Sequence, residues 1–134
     1  MTMLAALMLS TGGVSADPFG PLHWQKRLVV AFEGEPAGAV RRQEDLLPAA
    51  ELRARDVVFV AVPRTGTTMV EGLGPINATS ARRAYGIDPA AFTVLLIGKD
   101  GGVKRRSGSP IAAEALFSTI DAMPMRRQEM RKGS

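Results

Sequence analysis

Phe92-Thr93-Val94-Leu95-Leu96-Ile97-Gly98-Lys99-Asp100-Gly101-Gly102-Val103-Lys104-Arg105-Arg106 carries the pattern that decides the fold. An uncharged apolar run of this length suits a strand buried on both faces. Lys99-Asp100-Gly101-Gly102 then supplies glycines for a tight reversal, and Val103-Lys104-Arg105-Arg106 returns as an edge strand guarded by cations. A β-hairpin is predicted, with one central and one edge strand.

Two further apolar runs lie upstream, Leu28-Val29-Val30-Ala31-Phe32 and Val57-Val58-Phe59-Val60-Ala61-Val62. Each reads as a strand buried on both faces. Glu33-Gly34-Glu35-Pro36 ends the first. Between them, Gly38 to Arg55 is helical in composition, with Val40, Leu47, Ala50 and Ala54 recurring on one face; Pro48 must kink that helix or start a second one. Strand, helix and strand form a right-handed parallel βαβ unit. Residues 63–76 read as a loop, Asn77 as the N-cap of a short helix reaching Tyr85, and Gly86 as its stop.

Downstream of the hairpin, Ser109 is expected to cap a helix with Pro110 in its first turn. Ile111, Ala115, Leu116, Thr119, Ile120 and Met123 share its apolar face. Pro124 ends or bends it, and Met125 to Lys132 read as a basic tail. The order β-α-β-α-β-β-α is the one a thioredoxin-like α/β fold requires: a three-layer sandwich around a four-stranded mixed sheet in order 2-1-3-4.

Ala84-Tyr85-Gly86-Ile87, Thr93-Val94-Leu95-Leu96-Ile97 and Asp100-Gly101-Gly102-Val103 resemble the second half of thioredoxins and peroxiredoxins. Those proteins carry a cis-proline before the threonine; here Phe92 stands there and the nearest proline is Pro89. A closer resemblance rests on Trp24 to Phe32, Arg55-Asp56-Val57-Val58, Phe92 to Lys104 and Ile120 to Met130. Across roughly residues 20–131 the chain is similar to a domain-of-unknown-function family of small exported bacterial proteins. The same family occurs in vertebrate sushi-repeat-containing proteins and a coiled-coil-domain matrix protein. That resemblance implies a peroxiredoxin-like thioredoxin fold and supplies no activity.

Composition bounds the chemistry. The 134 residues suit one domain, and the absence of cysteine removes disulfides, thiol nucleophiles, Cys-ligated zinc and iron–sulfur clusters. A single histidine, His23, removes multi-histidine metal cages and reads as a packing or edge position beside Trp24. A thioredoxin scaffold places a low-pKa cysteine where the first strand meets the first helix; here that junction reads Glu33-Gly34-Glu35-Pro36-Ala37-Gly38. Disulfide exchange and cysteine-dependent peroxide reduction are therefore excluded.

Residues 1–16 are expected to be an export signal. They carry no charged side chain, their apolar run is too short to span a bilayer, and Val14-Ser15-Ala16 offers small residues for cleavage. Residues 17–134 form the single domain, placed in the periplasm or outside the cell. No later segment is apolar enough to be transmembrane.

Weak motifs resolve blandly. Pro63-Arg64-Thr65-Gly66-Thr67-Thr68 lacks the lysine of a phosphate loop, and Gly98 to Gly102 joins two strands rather than a strand and a helix. Asp17, Glu33, Glu35 and Asp100 lack EF-hand spacing, so no metal and no cofactor is expected. Asn77-Ala78-Thr79 matches a glycosylation acceptor, which a helix cap explains equally well. Met123-Pro124-Met125 reads as a helix bend whose methionines fill a gap against the sheet, or alternatively as a soft docking surface for a partner.

The net charge is +4, and residues 126–134 hold three of those four charges. With Lys104, Arg105 and Arg106, the tail residues Arg126 and Arg127 are expected to form a cationic surface for an envelope or extracellular protein or an anionic surface. Nucleic acid is not expected, since aromatics are few and no recognition motif is present. The first expectation is a binding or structural module without catalytic residues. The competing expectation is a thiol-independent enzyme using Arg64, Thr65, Thr67 and Tyr85 near the strand ends.

Overall fold

The computed structural model describes residues 17–133, so the expected export signal at 1–16 lies outside the described residues. Strand β1 (Arg27–Phe32) is buried along its whole length, as an unbroken apolar run demands. It pairs in parallel with β2 (Val57–Val62), Arg27 facing Val57 and Phe32 facing Val62. On its other side it pairs antiparallel with β5 (Thr93–Ile97), which pairs antiparallel with β6 (Val103–Ser107). The sheet order is β2-β1-β5-β6.

The order written 2-1-3-4 from the sequence is thereby corrected. Residues 63–76 are not simply a loop: they hold β3 (Thr67–Val70) and all but the last residue of β4 (Gly74–Asn77), a separate antiparallel hairpin beside β2. In this hairpin only Val70 and Ile76 are buried, so no apolar alternation marks it. Gly72 and Gly74, both at positive φ, supply its turn.

Alternation along β1 divides the core into two layers. Leu28, Val30 and Phe32 join Phe19, Leu22, Val70, Ile76 and Ala81 on one face. Val29 and Ala31 join Ala39, Leu52, Phe92, Leu116 and Ile120 on the other. The first face is covered by the β3–β4 hairpin and α3 (Ala78–Tyr85), the second by α1 (Ala39–Asp45), α2 (Ala49–Ala54) and α4 (Ala113–Asp121). Helices thus lie on both sides of a mixed sheet.

Pro48 starts a second helix rather than kinking one: it is the extended N-cap of α2. Asn77 caps α3 as its side-chain oxygen accepts the Ser80 N–H at 2.9 Å, and Gly86 closes that helix in the left-handed conformation.

Two expectations fail in the last third. Ser109 does not cap α4, which begins at Ala113 after an extended Ala112. The cause is Gln43, fully buried on α1, whose amide takes both backbone groups of Ile111: the Ile111 N–H donates to Oε1 at 2.7 Å, and Nε2 donates to the Ile111 carbonyl at 3.0 Å. With those groups engaged across the core, residues 109–112 stay out of the helix. Nor is the C-terminus a tail. Pro124 sits in the first turn of α5 (Pro124–Lys132), where its missing N–H costs nothing.

Replacing Gln43 with leucine strands two buried backbone groups. The expected loss is about 2 kcal/mol, seen as a lowered urea midpoint at unchanged m-value.

Candidate functional site at the foot of the sheet

The two ends of the sheet differ in kind. At the end where β1 runs out, Gly34 lies against the backbone of Ala91 and Phe92, and the Glu35–Pro36 peptide is cis. Helix α1 starts after Gly38, with no side chain capping it. Arg82, buried on α3, donates to the Glu33 carbonyl at 2.8 Å and to the Pro63 carbonyl at 3.0 Å, tying β1 to β2. Burial, helped by nearby Arg64, pulls the Arg82 guanidinium below its ordinary value. A cleft of about 400 Å³ opens here between Glu33, Gly38, Arg41, Glu44, Pro63 and Thr68. It pairs no nucleophile with a base.

The competing site residues take separate partners. Arg64 reaches Glu35 at 3.6 Å and the Pro89 carbonyl at 3.4 Å, while Thr65 and Thr67 are exposed around the start of β3. Tyr85 instead donates its hydroxyl to Asp17 at 2.8 Å and stacks on Phe19. Burial, reinforced by Asp17, pushes its phenol well above the ordinary value, which leaves it protonated. His23 also bonds Asp17 at 2.8 Å and packs against the turn at Gly101.

The opposite end is built by chain crossings. It gathers the start of β1, the Gly98–Gly102 turn and the α4–α5 junction. Arg27, only 1% exposed, donates two bonds to Glu129 of α5, each at 3.2 Å, and one to the Arg55 carbonyl at 2.8 Å. Lys99 bridges Glu129 at 2.7 Å and Asp56 at 2.9 Å. Burial pushes the Glu129 carboxyl up, but the bonds from Arg27 and Lys99 outweigh it and hold the group below the usual range. Asp121 is balanced in the same way, with Arg55 and Arg126 overriding its burial. α5 itself buries no residue completely, and this ion network ties it to β1 and to the Gly98–Gly102 turn.

Beside the network lies a cavity of about 450 Å³. Trp24 forms one wall, Ala122, Met123, Pro124 and Met125 another, with Lys104, Asp100 and the stems of Lys99 and Arg27 at its polar edge. Trp24 is 66% exposed and sits at φ 70, a conformation rarely adopted by a bulky residue. Its N–H is pinned to the Lys99 carbonyl at 2.6 Å.

The five cationic candidates divide here. Lys104 pairs with Asp100 at 2.9 Å and lines the cavity. Asp100 is held below the usual carboxylate range by the Gly102 N–H and Lys104. Arg105 reaches Thr119 of α4 at 3.2 Å, whereas Arg106 donates to the Tyr85 and Gly86 carbonyls and so caps α3. Arg126 bonds Asp121 and the Ala54 carbonyl, both at 3.1 Å; Arg127 is exposed. Arg106 and Arg126 therefore serve the fold, and Arg105 and Arg127 face outward. Sequence reasoning missed Arg27, Lys99 and Trp24. The only cue to them was a cation opening an apolar strand beside an unpaired aromatic.

A family described as Domain of unknown function (DUF4174) matches residues 18–129, nearly all of the described chain. The chain belongs to this family. Coiled-coil domain-containing protein 80 of Danio rerio is 43% identical over 77 residues, a match that covers 54% of this chain and 9% of that protein. The chain thus spans about a tenth of that relative's length. Among solved structures, Plasmodium yoelii thioredoxin peroxidase I is similar with a TM-score of 0.54 at 12% identity, covering 81% of this chain and 79% of the other. That likeness is one of fold: the domain is thioredoxin-like. Among the described residues no cluster of His, Asp and Glu is suited to a metal ion, and no helix is long and apolar enough to cross a membrane.

Proposed function

We propose that the chain is an exported, redox-inactive thioredoxin-like domain that works as a binding or structural module. The observation that carries this reading is the β1–α1 junction, the position at which the fold places a thiolate. It holds Glu33, Gly34, Glu35 and a cis Pro36 in a chain without cysteine. Glutamates there oppose a thiolate electrostatically. The outward cations Arg105 on β6 and Arg127 on α5 support a contact surface for an anionic partner in the envelope or outside the cell. Export rests on the charge-free apolar start and the small residues before Asp17.

The full chain is expected to show no turnover in peroxide-reduction and insulin-reduction assays. Arg105→Glu with Arg127→Glu is expected to abolish retention on anionic vesicles while leaving thermal stability unchanged, because neither arginine is part of the buried ion network. Saturable, substrate-dependent turnover rejects the non-catalytic reading, and unchanged retention rejects the cationic surface.

A further inference from the structure

We propose that the cavity beside Trp24 is a binding site for a small amphipathic carboxylate, a medium-chain fatty acid anion. The inference rests on the reading of this chain as a binding module and assigns a second, separate site to it.

Three observations converge. The first is the wall: Trp24, Met123, Pro124 and Met125 present indole, thioether and ring carbon to one space of about 450 Å³, within the range of small-ligand sites. Methionines and an indole make an adaptable apolar surface suited to an alkyl tail. The second is the backbone at Trp24, held at φ 70 by its bond to Lys99 with the ring two-thirds exposed. That backbone geometry keeps the indole at the cavity mouth instead of in the core.

Charge is the third. The ion pairs around this end join Lys26, Arg27, Arg55, Lys99, Lys104 and Arg126 to Glu51, Asp56, Asp100, Asp121 and Glu129, leaving one positive charge in excess. In addition, Arg27 lines the cavity, and its buried Nε–H has no hydrogen-bond partner. A carboxylate placed at the cavity edge meets Lys104, whose side chain is 35% exposed, and shares the cavity lining with the unpartnered Nε–H of Arg27. Asp100 lies on the same edge, but its charge is already answered by Lys104 and the Gly102 N–H. A cationic head cannot accept from the Arg27 Nε–H or from Lys104, and an uncharged head accepts without the strength of a charge-assisted bond.

Trp24 is the single tryptophan of the chain, so intrinsic fluorescence reports on this cavity directly. The full chain is titrated with decanoate, decanol and decyltrimethylammonium, each below its micelle concentration, and the decanoate titration is repeated by calorimetry. Decanoate is expected to shift the emission saturably, with one site per chain and at least about tenfold tighter binding than decanol, the worth of a charge-assisted hydrogen bond. Decyltrimethylammonium is expected to give no saturable response. Lys104→Gln, an exposed change outside the buried network, should reduce decanoate affinity to that of decanol. No saturable decanoate response, equal binding of decanol or of the cation, or an unchanged Lys104→Gln affinity each overturns the assignment. None of these results bears on the peroxide or vesicle assays, so the two readings fail separately.

Discussion

Gly34→Ala is expected to lose at least about 3 kcal/mol of stability, the upper range for forcing extra volume into a packed site. A methyl group at this position falls inside contact distance of the Ala91 carbonyl group and the Phe92 nitrogen, all of it main chain. No rotamer change relieves such a clash. Both strands are pinned here, since Glu35 donates to the Ala90 carbonyl at 2.8 Å and Phe92 donates to the Glu35 carbonyl at 3.0 Å. Small domains hold only about 5–15 kcal/mol in total, so the variant's urea midpoint should fall steeply. Gly20→Ala is the matched control, with nothing within 4 Å of its added methyl, and should stay within about 0.5 kcal/mol of the parent. A Gly34→Ala midpoint close to that control contradicts the close approach.

Glu129→Ala is expected to cost about 3 kcal/mol and to undock α5. The carboxylate is the shared acceptor for Arg27 and Lys99, and removing it leaves the fully buried Arg27 guanidinium without a counter-ion. Breaking such a pair costs about 3–5 kcal/mol, and the low end applies because 27% of the Glu129 side chain remains in water. By contrast, Arg41→Ala removes an ion pair whose arginine is 80% exposed and should change stability by less than about 0.5 kcal/mol. The same carboxylate sets a pH dependence. Its folded value lies below the unfolded one, so its contribution is complete above about pH 4.3 and is lost as pH falls through the folded value. Acid titration of the urea midpoint should therefore be shallower in Glu129→Ala than in the parent. Parallel curves contradict the role of Glu129.

Legibility followed the range of the interaction. Strands β1, β2 and β5 could be read from unbroken apolar runs, and α3 from a cap residue at each end. These signals are local. The β3–β4 hairpin escaped notice because Pro75 and two glycines replace the alternation that marks a half-buried strand. The sequence puts the start of α4 too early because Gln43, which engages Ile111, stands 68 positions away. The basic tail became a docked helix for a similar reason: Arg27 and Glu129 lie 102 positions apart, and neither looks unlike an ordinary surface charge in its own neighbourhood.

By itself the sequence determined which chemistry is absent and which segments form the central sheet. Missing cysteine is a matter of composition, and a buried strand needs only a continuous apolar stretch with breakers at its ends. The tertiary structure alone decided which charges are engaged by the backbone of other elements and which face water. It tied Arg106 and Arg126 to backbone carbonyls of other elements, left Arg105 and Arg127 facing water, and set Trp24 opposite Met123 and Met125. The physical reason is that a charged side chain's environment is set by whatever distant segment the chain path brings to it, and local propensity holds no information about that partner.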